Sequence, residues 1–225
     1  MKKLFIIFSL SSILLFGCTP STQLINSWSD KENTPQEYKN IGVAVLFPNS
    51  SNRYITERSI VDELKENGIQ AMPTYDVFPM AGKLNELIKD PENPEKAKEF
   101  IIKKVTENNI DALMVVTLFN QITEERWVKD RNFNFGGTGY YGTELEGGGS
   151  YYDYYSYSLG TIHDNGYFTD KSTYFIECNL YDVASEKLLY RTQTKSANVK
   201  SIDEESKKLA NIIVKELAKN KVVQK

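Results

Sequence analysis

A chain of 225 residues with one histidine and two cysteines has few ways to do covalent chemistry. A nucleophile-base site would have to use His163, which stands in "TIHDNGYF" beside the turn signal Asn165-Gly166. It reads as a solvated turn histidine rather than a catalytic base. Cys178 alternates with Tyr174, Ile176 and Leu180, so it reads as a buried core thiol rather than a nucleophile. One His with one free Cys does not make a zinc set of ordinary type, so no metal is expected. Glu124 and Glu125 are adjacent, and neighbours on a strand point to opposite faces, so they do not form an acid-base couple. The string Gly137-Thr138-Gly139-Tyr140-Tyr141-Gly142 matches G-x-G-x-x-G literally. It lacks the preceding strand and following helix that a dinucleotide loop requires, so no cofactor is expected. Glu57 stands beside Arg53 and Arg58 where the first helix opens. Those three could form an ion-pair cluster, or simply a solvated helix start.

Cys18 calls for a different chemistry. Met1-Lys2-Lys3 is a short basic stretch, and Leu4 to Phe16 is apolar apart from three serines. That is the pattern of a secretory signal, and at roughly 13 residues the run is shorter than the 20 or so a spanning helix needs. The run closes Leu15-Phe16-Gly17-Cys18, which resembles a bacterial lipobox. The resemblance implies cleavage before Cys18 and acylation of its thiol and new amino group. Two or three acyl chains, at about 0.8 kcal/mol per buried methylene, give a stable membrane attachment. No Asp follows Cys18, so by resemblance to known sorting rules the expected place is the outer membrane, facing the periplasm.

Losing residues 1–17 removes two lysines from a chain of formal charge -3, so the mature protein is mildly acidic. No basic stripe points to nucleic acid. The elements that must position any site follow from the apolar pattern. Residues 18–39 are polar, contain Pro20 and Pro35, and read as a lipidated tether. Within it "INSW" stands out, and Trp28 either docks on the domain or serves as a partner contact. Residues 40–225 read as one domain. "IGVAVLF" from Ile41 is a strand buried on both faces. A helix follows with Ile60, Val61 and Leu64 on one side, stopped by Asn67-Gly68. "IQAM" is a short strand, 82–90 and 94–108 are helical, and 110–119 is a third apolar strand. Strand, helix, strand, helix, strand implies a parallel sheet with right-handed crossovers. "STYFIECNLYD" and "KLLYRTQTKS" form an antiparallel hairpin, and Asp203 to Lys219 an amphipathic helix. The fold class is therefore α/β, one mixed sheet packed with helices.

Between the halves, residues 132–170 form a Gly- and Tyr-rich insertion that reads as a projecting loop between the third strand and the hairpin. Tyr140, Tyr141, Tyr151, Tyr152, Tyr154, Tyr155 and Tyr157 offer apolar rings with polar tips, which suit contacts to a partner protein or a sugar; the segment reads equally as a mobile, low-complexity insertion that only tolerates tyrosine.

Several stretches carry a wider resemblance. "INSWSDKE", "YKNIGVAVLFPNSSNRYITERSIVDELKENGIQAMPTYDVFP", "NIDALMVVTLFNQ" and "YFIECNLYDVASEKLLYRTQT" are similar to small bacterial envelope lipoproteins of unknown function. In that family the second hairpin strand often ends in tryptophan, where this chain has Tyr190. The order of elements also resembles the amino-terminal domain of TolB, lipoprotein activators of peptidoglycan synthases, and the curli secretion lipoprotein. The resemblance implies a non-enzymatic module that binds or assembles with an envelope protein, and it transfers no active-site residue. The competing class is a glycan-binding module or envelope hydrolase.

Overall fold

In the computed structural model of the protein, the residues described are 21–32, 36–78, 94–123 and 172–224. They form six strands and three helices: β1 (Thr22–Ser29), β2 (Ile41–Leu46), α1 (Ser50–Glu66), β3 (Ala71–Pro73), α2 (Pro94–Glu107), β4 (Ala112–Thr123), β5 (Ser172–Asp182), β6 (Leu188–Ala197) and α3 (Ile202–Lys219). The strands lie in one sheet in the order β1-β6-β5-β4-β2-β3. β2 pairs in parallel with β3 and with β4, and the other neighbours are antiparallel. The expected mixed α/β sheet is the observed one. The expected helix over 82–90 lies outside the described residues.

Each face of the sheet has its own core because side chains alternate along the strands. On one face Val43, Val45, Met114, Val116, Cys178, Leu180 and Tyr190 pack with Ile60 and Leu64 of α1 and Ile213 and Leu217 of α3. On the other, Ala44, Leu46, Leu113, Val115, Tyr181 and Leu188 pack with Ile101 and Val105 of α2. β2 contributes to both cores, which is why its six residues are all buried and why its sequence does not alternate. Gly42 is the position of closest approach. A methyl group there would stand 2.9 Å from Ile110 Cδ1, so the side chain that follows α2 packs directly on the backbone.

Local chemistry sets the helix ends. Asn49 caps α1, its side chain accepting from the Asn52 N–H at 3.0 Å. Gly68, at φ 82°, turns the chain out of the helix toward β3. Ser201 caps α3, and Asp203, Glu204 and Glu205 follow in its first turn where the helix dipole favours negative charge. The β5–β6 turn is held by Asp182, which accepts from the Ser185 N–H at 2.6 Å, with Glu186 at φ 58°.

Two boundaries differ from the sequence reading. β4 runs on to Thr123, past the expected end at residue 119, because Asn120–Thr123 continue the ladder with β5 beyond an irregularity between Leu118 and Asn120. The larger correction is at the amino terminus. Thr22–Ser29, read as tether, is an edge strand paired antiparallel with β6 from Thr22↔Ser196 to Ser29↔Tyr190. Polar composition hid it, because an edge strand needs only its backbone groups to join a sheet. The sheet thus takes in Thr22–Ser29, eleven residues or more ahead of the expected start at residue 40.

Cys178 is buried, and burial pushes its thiol far above the ordinary range. It follows that Cys178→Ser costs about 1–3 kcal/mol in a denaturation series, since a hydroxyl replaces sulfur in an apolar setting. Native protein labels slowly with a bulky maleimide at this position, and fast labelling would contradict the placement.

Candidate functional site

Three clusters of described polar groups bear on a possible site. The first is the corner at the carboxyl ends of β2 and β3. β3 stops at Pro73, so the ladder from β2 ends with the Thr74 N–H donating to the Val43 carbonyl at 3.0 Å. The next N–H of β2 on that edge, that of Val45, lies beyond the end of β3. Glu57, from the second turn of α1, supplies the acceptor: Val45 N–H donates to its Oε1 at 3.0 Å. Arg53, one turn earlier, donates through Nε to the same oxygen at 2.9 Å and reaches the Thr74 carbonyl at 3.4 Å. Both side chains are buried. Burial raises the Glu57 carboxyl, opposed by Arg53 and by the backbone N–H groups of Val45 and Tyr75. The solvated helix start is therefore overturned, and so is Arg58 as a third member. Arg58 points outward and donates to the Tyr54 hydroxyl at 2.9 Å. The guanidinium of Arg53 lies 5.1 Å from the Tyr75 ring centre, and Tyr54 meets Tyr75 edge-on at 5.5 Å. The pair thus locks α1 to the sheet, and its outer layer is a fixed aromatic and cationic surface.

The second place is a polar strip across β5 and β6, on the face that carries α2 at the other end of the sheet. The Asn179 amide donates to Glu177 Oε1 at 3.0 Å, and the Gln193 amide to Glu177 Oε2 at 2.8 Å. Arg191 donates through Nε to Asn179 Oδ1 at 3.0 Å, with Glu177 at 4.0 Å. Register explains the cluster. Glu177 faces Gln193, Asn179 faces Arg191, and cross-strand partners on one face meet. Trp28 stands opposite Arg191 in β1 and packs, half-buried, against the second core. It is docked, as one of its two readings required.

The third place joins the start of β1 to α3. Ser21 Oγ donates to Glu205 Oε1 at 2.6 Å, and Thr22 Oγ1 donates to Oε2 of the same carboxylate. Lys208 Nζ reaches both Glu205 Oε1 and Ser21 Oγ at 2.7 Å. The Ala197 N–H closes the clasp on the Ser21 carbonyl at 2.8 Å. Burial would raise the Glu205 carboxyl, but the hydrogen bonds from Lys208, Ser21 and Thr22 prevail and hold it below its ordinary value. A second tie follows along β1, where Ser27 Oγ donates to Glu216 Oε2 at 2.8 Å.

Cys18, His163, the Glu124-Glu125 pair and the tyrosines from Tyr140 to Tyr157 lie outside the described residues. The chain leaves β4 at Thr123 and re-enters β5 at Ser172, and those two residues are cross-strand partners. The Gly- and Tyr-rich insertion is therefore rooted at the carboxyl end of the parallel strands. Among the described residues no group of three His, Cys, Asp or Glu could hold a metal ion, and no helix is long and apolar enough to cross a membrane. The Glu177 strip and the Glu205 clasp escaped the sequence reading. The strip had a signal: Glu177 and Asn179 on the alternate face of β5, matched by Arg191 and Gln193 at the same spacing in β6. The clasp had none, since its partners are about 180 residues apart.

These elements define an open α/β domain with one mixed six-stranded sheet and helices on both faces. No protein-family model matches the chain. No curated protein matches it either. Among solved structures it is similar to the PelC dodecamer from Paraburkholderia phytofirmans, at 10% identity and TM-score 0.43, over 91% of this chain and 99% of that one. A variant of the same PelC protein aligns at 7% identity and TM-score 0.40, covering 90% and 98%. Lipoprotein GNA1162 from Neisseria meningitidis aligns at 15% identity and TM-score 0.36, covering 80% of this chain and 96% of that one. Likenesses at this level establish no family for the chain.

Proposed function

We propose that this chain is a lipid-anchored lipoprotein of the bacterial envelope, on the periplasmic face of the outer membrane, that acts without catalysis as a binding or assembly module for another envelope protein. The observation that carries this reading is the edge strand β1. The two edges of the sheet are treated differently. β3 is three residues long and ends in proline, which blunts it against pairing. β1 is eight residues long, with neither proline nor lysine, and leaves Leu24 and Ile25 each 39% exposed. An extended edge with projecting apolar side chains is what strand addition by a partner requires. The register shift between Leu24 and Asn26 makes Ile25 the extra residue of a bulge, which limits open-ended stacking of further strands.

Two measurements test the reading. Cys18→Ala is expected to move the protein out of the membrane fraction or to stall its processing, and a variant that is processed and fractionates like wild type would remove the anchor. Replacing Ile25 with a photo-crosslinking residue and irradiating intact envelopes is expected to give one discrete adduct. Ala184, exposed at the far end of the β5–β6 hairpin, serves as the control position. Crosslinking at Ile25 no stronger than at Ala184 would show that β1 is not the binding edge.

A further inference from the structure

If Cys18 bears the acyl chains, as the proposed function holds, the clasp at Glu205 has a geometric consequence. Only Thr19 and Pro20 separate the anchor from Ser21. Three Cα–Cα steps of 3.8 Å place the Cys18 Cα within about 11 Å of Ser21. Ser21 itself is fixed: its hydroxyl to Glu205 and Lys208, its carbonyl to the Ala197 N–H. The next residue, Thr22, is bonded to Glu205 and lies 2.8 Å from Ser196 Oγ. The anchor is therefore never more than about 11 Å, Cα to Cα, from the first bonded residue of the sheet.

Topology says which end of the sheet that is. Thr22 pairs with Ser196, Thr173 with Ala197, and Ser172 with Thr123. The start of β1, the end of β6, the start of β5 and the end of β4 form one rim. The loop to α3 and the first turn of that helix lie on it too. β6 has ten residues, so at about 3.3 Å per residue the β5–β6 turn is roughly 30 Å away at the opposite rim. We infer that the rim bearing Ser21, Ala197 and Lys200 is a lipid-apposed surface, held against the headgroup layer by the Glu205 clasp, while the β5–β6 turn faces away from the membrane. Among the described residues the exposed charges there are mixed, Lys195 and Lys200 with Asp203 and Glu204, so this part of the rim, beside the root of the insertion at Thr123 and Ser172, fits a headgroup layer without demanding a strongly anionic one. In this posture β1 stands upright on the membrane, and its open edge is presented sideways to a neighbour in the same leaflet.

The experiment uses the full lipidated chain in phosphatidylethanolamine–phosphatidylglycerol vesicles containing headgroup-quencher lipids. Fluorophores are placed on Lys200→Cys and, separately, on Ala184→Cys; both native positions are exposed, and buried Cys178 stays unlabelled. Over a separation near 30 Å, quenching at position 200 is expected to exceed that at 184 by at least about threefold. Inserting twelve Gly-Ser residues after Thr19 is expected to bring that ratio close to one, and Glu205→Ala to lower it. Vesicle flotation separates the two ideas. Protein that does not float removes the anchor and the orientation together. Protein that floats but shows equal quenching at both positions, or a ratio unmoved by the inserted linker, leaves the anchor standing and overturns the orientation.

Discussion

Arg53→Ala is expected to destabilise the domain by about 3–5 kcal/mol, the range for removing one member of a buried ion pair. Arg53 and Glu57 are both buried, and Glu57 Oε1 takes the Arg53 Nε–H at 2.9 Å and the Val45 N–H at 3.0 Å. Without the guanidinium, the carboxylate must either stay charged in an apolar corner or take up a proton. The second route has a pH signature. Burial already raises the Glu57 carboxyl in the presence of Arg53. Removing the cation raises it further, so the variant binds a proton on folding that the unfolded chain, with its ordinary carboxyl, does not hold near neutral pH. Stability of the variant should therefore fall as pH rises through the unfolded carboxyl range toward the folded value, more steeply than in wild type. Glu57→Gln, which keeps an acceptor for the Val45 N–H, is expected to cost less than Glu57→Ala. Urea denaturation at several pH values reads all of these. An Arg53→Ala loss below about 1 kcal/mol would mean that water reaches the corner and solvates the carboxylate.

The second large effect is expected at α2. Ile101→Ala should cost about 2–5 kcal/mol, and Ile102→Ala, at the adjacent residue, about 0.5 kcal/mol or less. Ile101 is fully buried in the core formed with Ala44, Leu46, Leu113 and Val115, whereas Ile102 is 37% exposed. The salt bridges of α2 run along the helix itself, from Lys103 and Lys104 to Glu107, and are solvent-exposed. They contribute little to holding it on the sheet. Attachment passes through Ile101 and Val105, so a cavity at Ile101 loosens the helix against the strands that run under it. Calorimetric melting of the two variants checks the contrast, and equal losses would show that α2 is held by contacts other than this core.

Much of the architecture was legible in local pattern. The continuous apolar run from Ile41 and the run from Ile110 marked the strands buried on both faces, because only a central strand has two cores to fill. The alternation of Tyr174, Ile176, Cys178 and Leu180 identified the inner face of β5, and Asn67-Gly68 marked the end of α1. Such signals are local: each follows from the period of a single element or from the chemistry of a single turn. The polarity of Gln23, Asn26 and Ser27, by contrast, concealed β1, since its place in the sheet rests on backbone pairing with a strand far along the chain. The same distance hid the chemistry. Arg53 and Glu57 are one turn apart and could be seen as a pair, but only the early end of β3 at Pro73 explains why that pair is buried and what it bonds. Glu205 is one of three acids in the first turn of α3. It became the fastening of the amino terminus because the sheet brings Ser21 and Thr22 to that helix. The residues alone determined which chemistries were available and which elements would form. Which charges are buried, which strands form the edges of the described sheet and how Ser21 and Thr22 are tied to α3 were decided by contacts between residues far apart in sequence, which no local period records.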